Sequence, residues 1–269
     1  MSDEDQILYR VEDKVAVITL NRPDKANAQT QGLLDDLNAA WERAAADPGV
    51  RVIVLNANGK HFSSGHDLSG AGSRDAVPDK MTLAHIYELE AKRFIGYSLN
   101  WRNIPKPSIA AVQGKCIAGG LLLAWPCDLI IAAENAEFSD PVVYLGIGGV
   151  EYHGHTWELG ARKAKEILFT GRSVSAREAE QAGAVNRVVP LDDLDSETMK
   201  LAAHISGMDP FGLRQAKRAV NQTLDVQGFQ TAVQAVFDIH QTGHGNALSV
   251  TGYPVISNLE QMKKNVSKS

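Results

Sequence analysis

Apolar positions along the chain change period several times, and each change marks an element. Residues 7–11 and 15–20 are short β-rich runs joined by the polar link Glu12-Asp13-Lys14, which predicts a hairpin. Asn21-Arg22-Pro23 then breaks the strand. Over residues 31–46 the apolar set Leu33, Leu34, Leu37, Ala40, Trp41 and Ala44 recurs at helical spacing, and Asp47-Pro48-Gly49 stops it. A β-branched run at 50–56 predicts a buried strand. Residues 69–82 are polar and carry Gly70, Gly72 and Pro78, so they read as a loop. A helix is expected at 83–100, a strand at 108–112, a glycine-punctuated turn at 114–120, a short apolar helix at 121–125 and a strand at 129–132. Short apolar strands alternating with helices indicate an α/β body with a buried sheet. From about residue 161 the pattern turns helical, and 196–262 reads as almost wholly helical. The expected division is a mixed α/β core over 1–195 and a helical C-terminal region over 196–269.

Bulk composition narrows the class without naming a function. The chain has 269 residues, 44% hydrophobic and 22% charged, which suits a soluble globular protein with a full apolar core. Net charge is −5 and no basic block is present, so nucleic acid is not an expected partner. Two cysteines, Cys116 and Cys127, do not make a disulfide framework and point to a reducing compartment. The acidic start Met1-Ser2-Asp3-Glu4-Asp5 is unlike a secretory signal, and the apolar stretch 117–125 is too short to span a bilayer. A cytoplasmic location is expected.

Two segments repeat one design. Strand residues 52–55 lead into His61-Phe62-Ser63-Ser64-Gly65-His66-Asp67-Leu68, and strand residues 109–112 lead into Gly114 and Ala118-Gly119-Gly120. Small residues let a ligand approach the backbone, and helix starts leave N–H groups unpaired. Two such turns facing each other would aim two donors at one oxygen, as in an oxyanion hole. Spacing alone fits two ordinary strand-to-helix turns equally well.

Beyond spacing, the residues themselves resemble the crotonase, or enoyl-CoA hydratase/isomerase, superfamily over nearly the whole chain. The matching motifs are Leu20-Asn21-Arg22-Pro23 with Asn27-Ala28, Phe62 through Leu68, Pro105-Lys106-Pro107, and Ala111-Val112-Gln113-Gly114 through Gly120 to Cys127-Asp128. Ala136-Glu137-Phe138, Leu145-Gly146, Leu168-Phe169-Thr170-Gly171 and the run from Ala179 to Pro190 follow in order. The resemblance implies a crotonase-like spiral of ββα units, a helical trimerisation region, and a homotrimer or dimer of trimers. It implies an acyl-CoA thioester as ligand, with coenzyme A as part of the substrate and no separate cofactor. By motif, the two oxyanion donors are the backbone N–H groups of His66 and Gly119, and CoA lies along Lys25, Ala26, His66, Asp67 and Leu68. The family usually has a small residue where His66 stands. A backbone donor does not depend on that side chain, and the imidazole is read as packed at its turn.

Where the resemblance implies two hydratase glutamates, this sequence has Leu122 and Val142. Neither can transfer a proton. Simple crotonyl-CoA hydration is therefore expected to be slow or absent. Replacement acid/base candidates are Asp140 and Glu151, the latter in a glycine-rich loop where the aroyl-CoA dehalogenases and naphthoate synthases of the superfamily carry an aspartate. His153 and His155 add imidazoles suited to proton transfer near neutral pH. The His153-x-His155 pair lacks a third ligand at useful spacing, so no metal is expected. Tyr144 is placed at the acyl pocket, Trp125 in the core, Glu88 and Glu90 on an exposed helix face, and His240 and His244 on one helix face as packing or interface residues. Two functions remain: an enzyme passing through an acyl-CoA enolate, with hydratase, isomerase, lyase or hydrolase chemistry open, as in fatty acid metabolism, and a non-catalytic acyl-CoA binding protein.

Overall fold

A computed structural model describes residues 5–67, 82–257 and 260. The predicted hairpin forms from β1 (Ile7–Glu12) and β2 (Val15–Leu20), antiparallel and joined through Asp13 and Lys14. β3 (Val52–Ala57), β4 (Ser108–Val112), β6 (Leu129–Ala133) and β9 (Arg187–Val189) extend the sheet in parallel, in the order β1-β2-β3-β4-β6-β9. A second sheet has the order β5 (Lys115–Ile117), β7 (Glu137–Ser139), β8 (Val174–Ser175).

Both faces of the sheet are buried along β2, β3 and β4, which explains strands that are continuously apolar. Ala16, Ile18, Ile53 and Leu55 face the main core, while Val15, Val17, Val52 and Val54 face the other side. This is the period-2 alternation of a strand with a dry environment on each face. α1 (Gln31–Ala46) closes the main face, capped by Thr30, whose hydroxyl accepts from Leu33 N–H at 3.0 Å. The expected helix at 83–100 runs as α2 (Leu83–Glu90), a π-helical turn over Ala91–Gly96, and α3 (Tyr97–Asn103). α4 (Gly119–Ala124) is fully buried, and Trp125 after it is a core residue as expected.

After α5 (His155–Thr170), kinked at Gly160, and α6 (Ala176–Ala182), the chain is mainly helical: α7 (Leu194–Ser206), α8 (Pro210–Val226) and α9 (Phe229–Thr251). The boundary expected at 195/196 falls inside α7. Leu194 and Ala202 of α7 bury against Val52, Val54 and Ile109, so this helix belongs to the core and supplies the cover for the sheet's second face. The helical region that stands apart from the sheet begins with α8, which buries none of its own residues. The expected loop at 69–82 and the CoA contact expected at Leu68 lie almost wholly outside the described residues.

Candidate active site

The two glycine turns meet. An isolated parallel bridge joins Gln29 to His66, with Gln29 N–H donating to Gly65 O and Asp67 N–H donating to Gln29 O, 2.8 and 2.9 Å. Bridge groups alternate in direction along an extended segment, so the His66 N–H points away from Gln29. A second bridge joins Ser63 to Cys116 and holds the first turn alongside β5. Gly65, at φ +88°, packs directly on the second turn: a Cβ there would lie 2.8 Å from Ile117 O and 3.0 Å from Gly119 N. Only glycine allows that approach. Gly119 is the first residue of α4, where the amide has no intrahelical acceptor. Ala118 before it holds φ +48°, ψ −113°, a conformation L-residues rarely adopt. The strained residue therefore sits at the turn that aims the Gly119 N–H.

The segment expected to carry CoA is stitched to the same turns. Asn27, fully buried, donates to Asn58 O and His61 O at 3.0 and 2.9 Å and accepts from Arg22 N–H at 2.8 Å. Ser64 N–H donates to Ala26 O, and Arg22 Nη1 pairs with Asp67 Oδ2 at 3.0 Å. Lys25 is exposed on the short turn Pro23–Lys25, beside Ala26. Lys25, Ala26, His66 and Asp67 are thus brought onto one contiguous strip.

His66 does more than pack at its turn. Its ring stacks on Phe94 with centroids 4.0 Å apart, and its Nε2 lies 3.3 Å from Glu151 Oε1 and 3.4 Å from Oε2. Burial opposes charge on this imidazole, but the Glu151 carboxylate outweighs it and holds the His66 pKa above its ordinary value. His66 Nδ1 and Gln29 Oε1 are both buried without a hydrogen-bond partner, and a Cβ added at Gly119 would lie 3.0 and 2.9 Å from them. Glu151 itself is buried, and its Oε1 also approaches His240 Nε2 at 3.6 Å.

Of the remaining candidates, Asp140 is a structural group. It is wholly buried, accepts from Val150 N–H at 2.8 Å and Val142 N–H at 3.4 Å, and pairs with His155 Nε2 at 3.0 Å. Burial pushes its carboxyl up, but the His155 hydrogen bond and charge, with the two amides, hold it below the usual carboxylate range. These bonds occupy the carboxylate in holding the 140–150 turn that delivers Glu151. His153 is likewise engaged, with Nε2 2.8 Å from Thr156 Oγ1. Burial and the neighbouring His155 push its pKa down to about 4. Tyr144 is tied by its hydroxyl to Thr170 O at 2.9 Å, at the start of the chain's turn into β8. Leu122 is buried in the main core and Val142 packs against it, so the two positions of the expected glutamates are apolar in structure as in sequence.

Glu90 departs from its expected exposure. It is buried at the junction of α2 and the π-helical turn, while Glu88 is exposed. Glu90 Oε2 lies 3.4 Å from His240 Nε2, Glu90 Oε1 lies 3.4 Å from His244 Nε2, and Gln241 Nε2 donates to Glu90 Oε2 at 2.6 Å. Burial raises the Glu90 carboxyl, but the His240 and His244 imidazoles beside it bring it down to about 2. A line of groups, His66–Glu151–His240–Glu90–His244, buried beyond His66, therefore runs from the Gly65–His66 turn into α9. The helical spacing of His240 and His244 was readable in advance; their meeting with Glu90 across 150 residues was not.

Comparison with known proteins shows the family and the fold. The family model described as enoyl-CoA hydratase/isomerase matches residues 10–251. A solved structure from Mycobacterium thermoresistibile titled a probable enoyl-CoA hydratase is 69% identical, with TM-score 0.90, covering 94% of this chain and 100% of that one. One from Mycobacterium smegmatis with the same description is 65% identical, also with TM-score 0.90 and the same coverage. An enoyl-CoA hydratase/isomerase from Xanthobacter autotrophicus is 34% identical with TM-score 0.86, over 98% of each chain. Among the described residues no helix is long and apolar enough to cross a membrane.

Proposed function

The chain belongs to the enoyl-CoA hydratase/isomerase family, and from that premise we propose that it binds an acyl-CoA thioester and forms an enolate from it. The thioester oxygen sits between the N–H groups of His66 and Gly119. Glu151 takes the α-proton. The C–H electron pair becomes the enolate double bond, and the negative charge rests on the oxygen facing the two donors. Preorganised donors of this kind contribute ~10²–10³ each in rate. The observation that carries the reading is the contact of Glu151 with the side chain of His66, whose own backbone N–H is one of the donors. A carboxylate is thereby fixed beside the hole although Leu122 and Val142 stand at the two glutamate positions.

Crotonyl-CoA hydration is slow in this account, because it asks for a carboxylate at Leu122 or Val142. The expected reaction is another enolate step on an acyl-CoA ester. The test is a panel of acyl-CoA esters offered to wild type and Glu151→Gln. Turnover of at least one ester, lost ~10²–10⁴-fold in the variant, supports the assignment. Tight binding of esters with no turnover by wild type would favour the non-catalytic binding protein, and rapid crotonyl-CoA hydration would overturn the reading of Leu122 and Val142.

Assembly as a homotrimer or dimer of trimers is part of the proposal. It is supported by the apolar residues left exposed on the C-terminal helices, Phe211, Val220 and Val226 on α8 and Ile239 and Val250 on α9.

A further inference from the structure

His240 and His244 lie one turn apart on α9, and their Nε2 atoms are 3.0 Å from each other. Each ring also touches a backbone carbonyl through Nδ1: His240 on Gly149 O at 2.7 Å, and His244 on Pro254 O at 2.6 Å. A carbonyl oxygen only accepts, so each Nδ1 must carry the hydrogen. In the neutral rings both Nε2 atoms then hold lone pairs, and the two lone pairs face one another in a buried site beside the Glu90 carboxylate. A cation between the two nitrogens, a shared proton or a metal ion, resolves that clash of lone pairs.

We propose that Glu90, His240 and His244 bind a divalent transition-metal ion of the zinc class. Two imidazoles and a carboxylate are donors that suit such an ion. A tetrahedral ion with bonds of ~2.0–2.1 Å spaces its donor atoms ~3.3 Å apart. The spacings here are 3.0 Å between the two nitrogens and 3.4 Å from each nitrogen to a Glu90 oxygen. The donor atoms of the three residues all lie within 4.8 Å of one another, and all three residues are buried. The Nδ1–carbonyl bonds are the outer contacts that orient metal-binding imidazoles, and Gln241 does the same for Glu90. The donors come from well-separated segments: Glu90 from the end of α2 where the π-helical turn begins, and the histidines from α9. π-helical turns recur at functional sites. Bound there, the ion fastens α2 to α9 and lies next to Glu151, whose Oε1 is 3.6 Å from His240 Nε2.

The proposal is independent of the reaction assigned above, and so is its test. Untagged full-length protein is incubated with Zn²⁺, passed through a desalting column and assayed for metal by mass spectrometry. Wild type and the exposed-histidine control His85→Ala should each retain about one ion per chain, with a rise in Tm of roughly 5 °C. His244→Ala and Glu90→Gln should each retain less than about a tenth as much and show no Tm rise, the loss expected when one of three ligands is removed. Should either variant fail to fold, wild type alone decides through Co²⁺, whose visible spectrum should become that of a four- or five-coordinate ion, saturate at one equivalent and be displaced by Zn²⁺. Wild type that retains no more zinc than His244→Ala, or that leaves Co²⁺ with its aqueous spectrum, would overturn the proposal and leave a shared proton as the cation between the rings.

Discussion

The His66 imidazole and the Glu151 carboxylate, 85 residues apart in sequence, meet at 3.3 Å between the Gly65–His66 turn and the glycine-rich loop that precedes α5. In the proposed reaction, this one residue offers its backbone N–H to the thioester and its side chain to the candidate base. The contact orients Glu151, and Phe94 fixes the ring that makes it.

His66→Ala separates those two roles. The backbone N–H survives, so acyl-CoA binding should change little. Glu151 loses its neighbour, and turnover should fall by roughly 10–100-fold, at the low end of what a misplaced acid/base group costs. Titration calorimetry with an acyl-CoA ester and steady-state kinetics separate the two effects.

Gly65→Ala should disrupt the site and the fold together. The new Cβ would meet Ile117 O at 2.8 Å and Gly119 N at 3.0 Å, at φ +88°. A destabilisation of about 2 kcal/mol in urea unfolding is expected from strain and displacement of the second turn, with loss of activity exceeding that of His66→Ala.

Asp140→Ala tests whether Asp140 supports the fold or takes part in the chemistry. It leaves His155 buried without its partner and frees the amides of Val142 and Val150. Breaking a buried pair of this kind costs about 3–5 kcal/mol, measurable by denaturant unfolding. A stable Asp140→Ala protein with abolished turnover would instead restore Asp140 to the chemistry.

Acid should weaken the fold through His153. Its folded pKa lies at about 4, below the 6.5 of an unperturbed histidine. Between those values the unfolded chain binds more protons than the folded one, so stability falls as pH drops from 6.5 toward 4. Asp140, held below its ordinary value, adds to the loss at lower pH. His153→Gln should flatten the pH 4–6.5 limb in Tm measurements, whereas an unchanged slope would assign that limb to other groups.

Much of the fold was readable because local patterns and burial agreed. The hairpin at 7–20 and α1 follow from alternation and helical spacing, and all six apolar residues picked out over 31–46 are buried. That α7 packs on the sheet was not readable, because its amphipathic face looks the same whether it packs on a sheet or on another helix. The meeting of the two glycine turns was likewise ambiguous from spacing, and the motifs resolved it. Glu90 read as an ordinary helix glutamate because a π-helical turn follows it, and a 3.6-residue pattern does not show which side chains such a junction turns inward. His66 read as packing because its partner Glu151 comes from a loop with no periodicity at all. Asp140 and Glu151 were both candidates in sequence, Glu151 alone through the resemblance of its loop; in the structure the buried His155 pairs with one and His66 meets the other.

The proposed enolate, formed with Glu151 as the base, is tested by exchange of the α-hydrogens of a saturated acyl-CoA ester in D₂O, followed by NMR, with wild type and Glu151→Gln. Wild type should wash deuterium into the α-position, and Glu151→Gln should do so ~10²-fold or more slowly while binding the ester as tightly. Exchange at the wild-type rate in Glu151→Gln, or no exchange by wild type with the ester bound, would contradict the account.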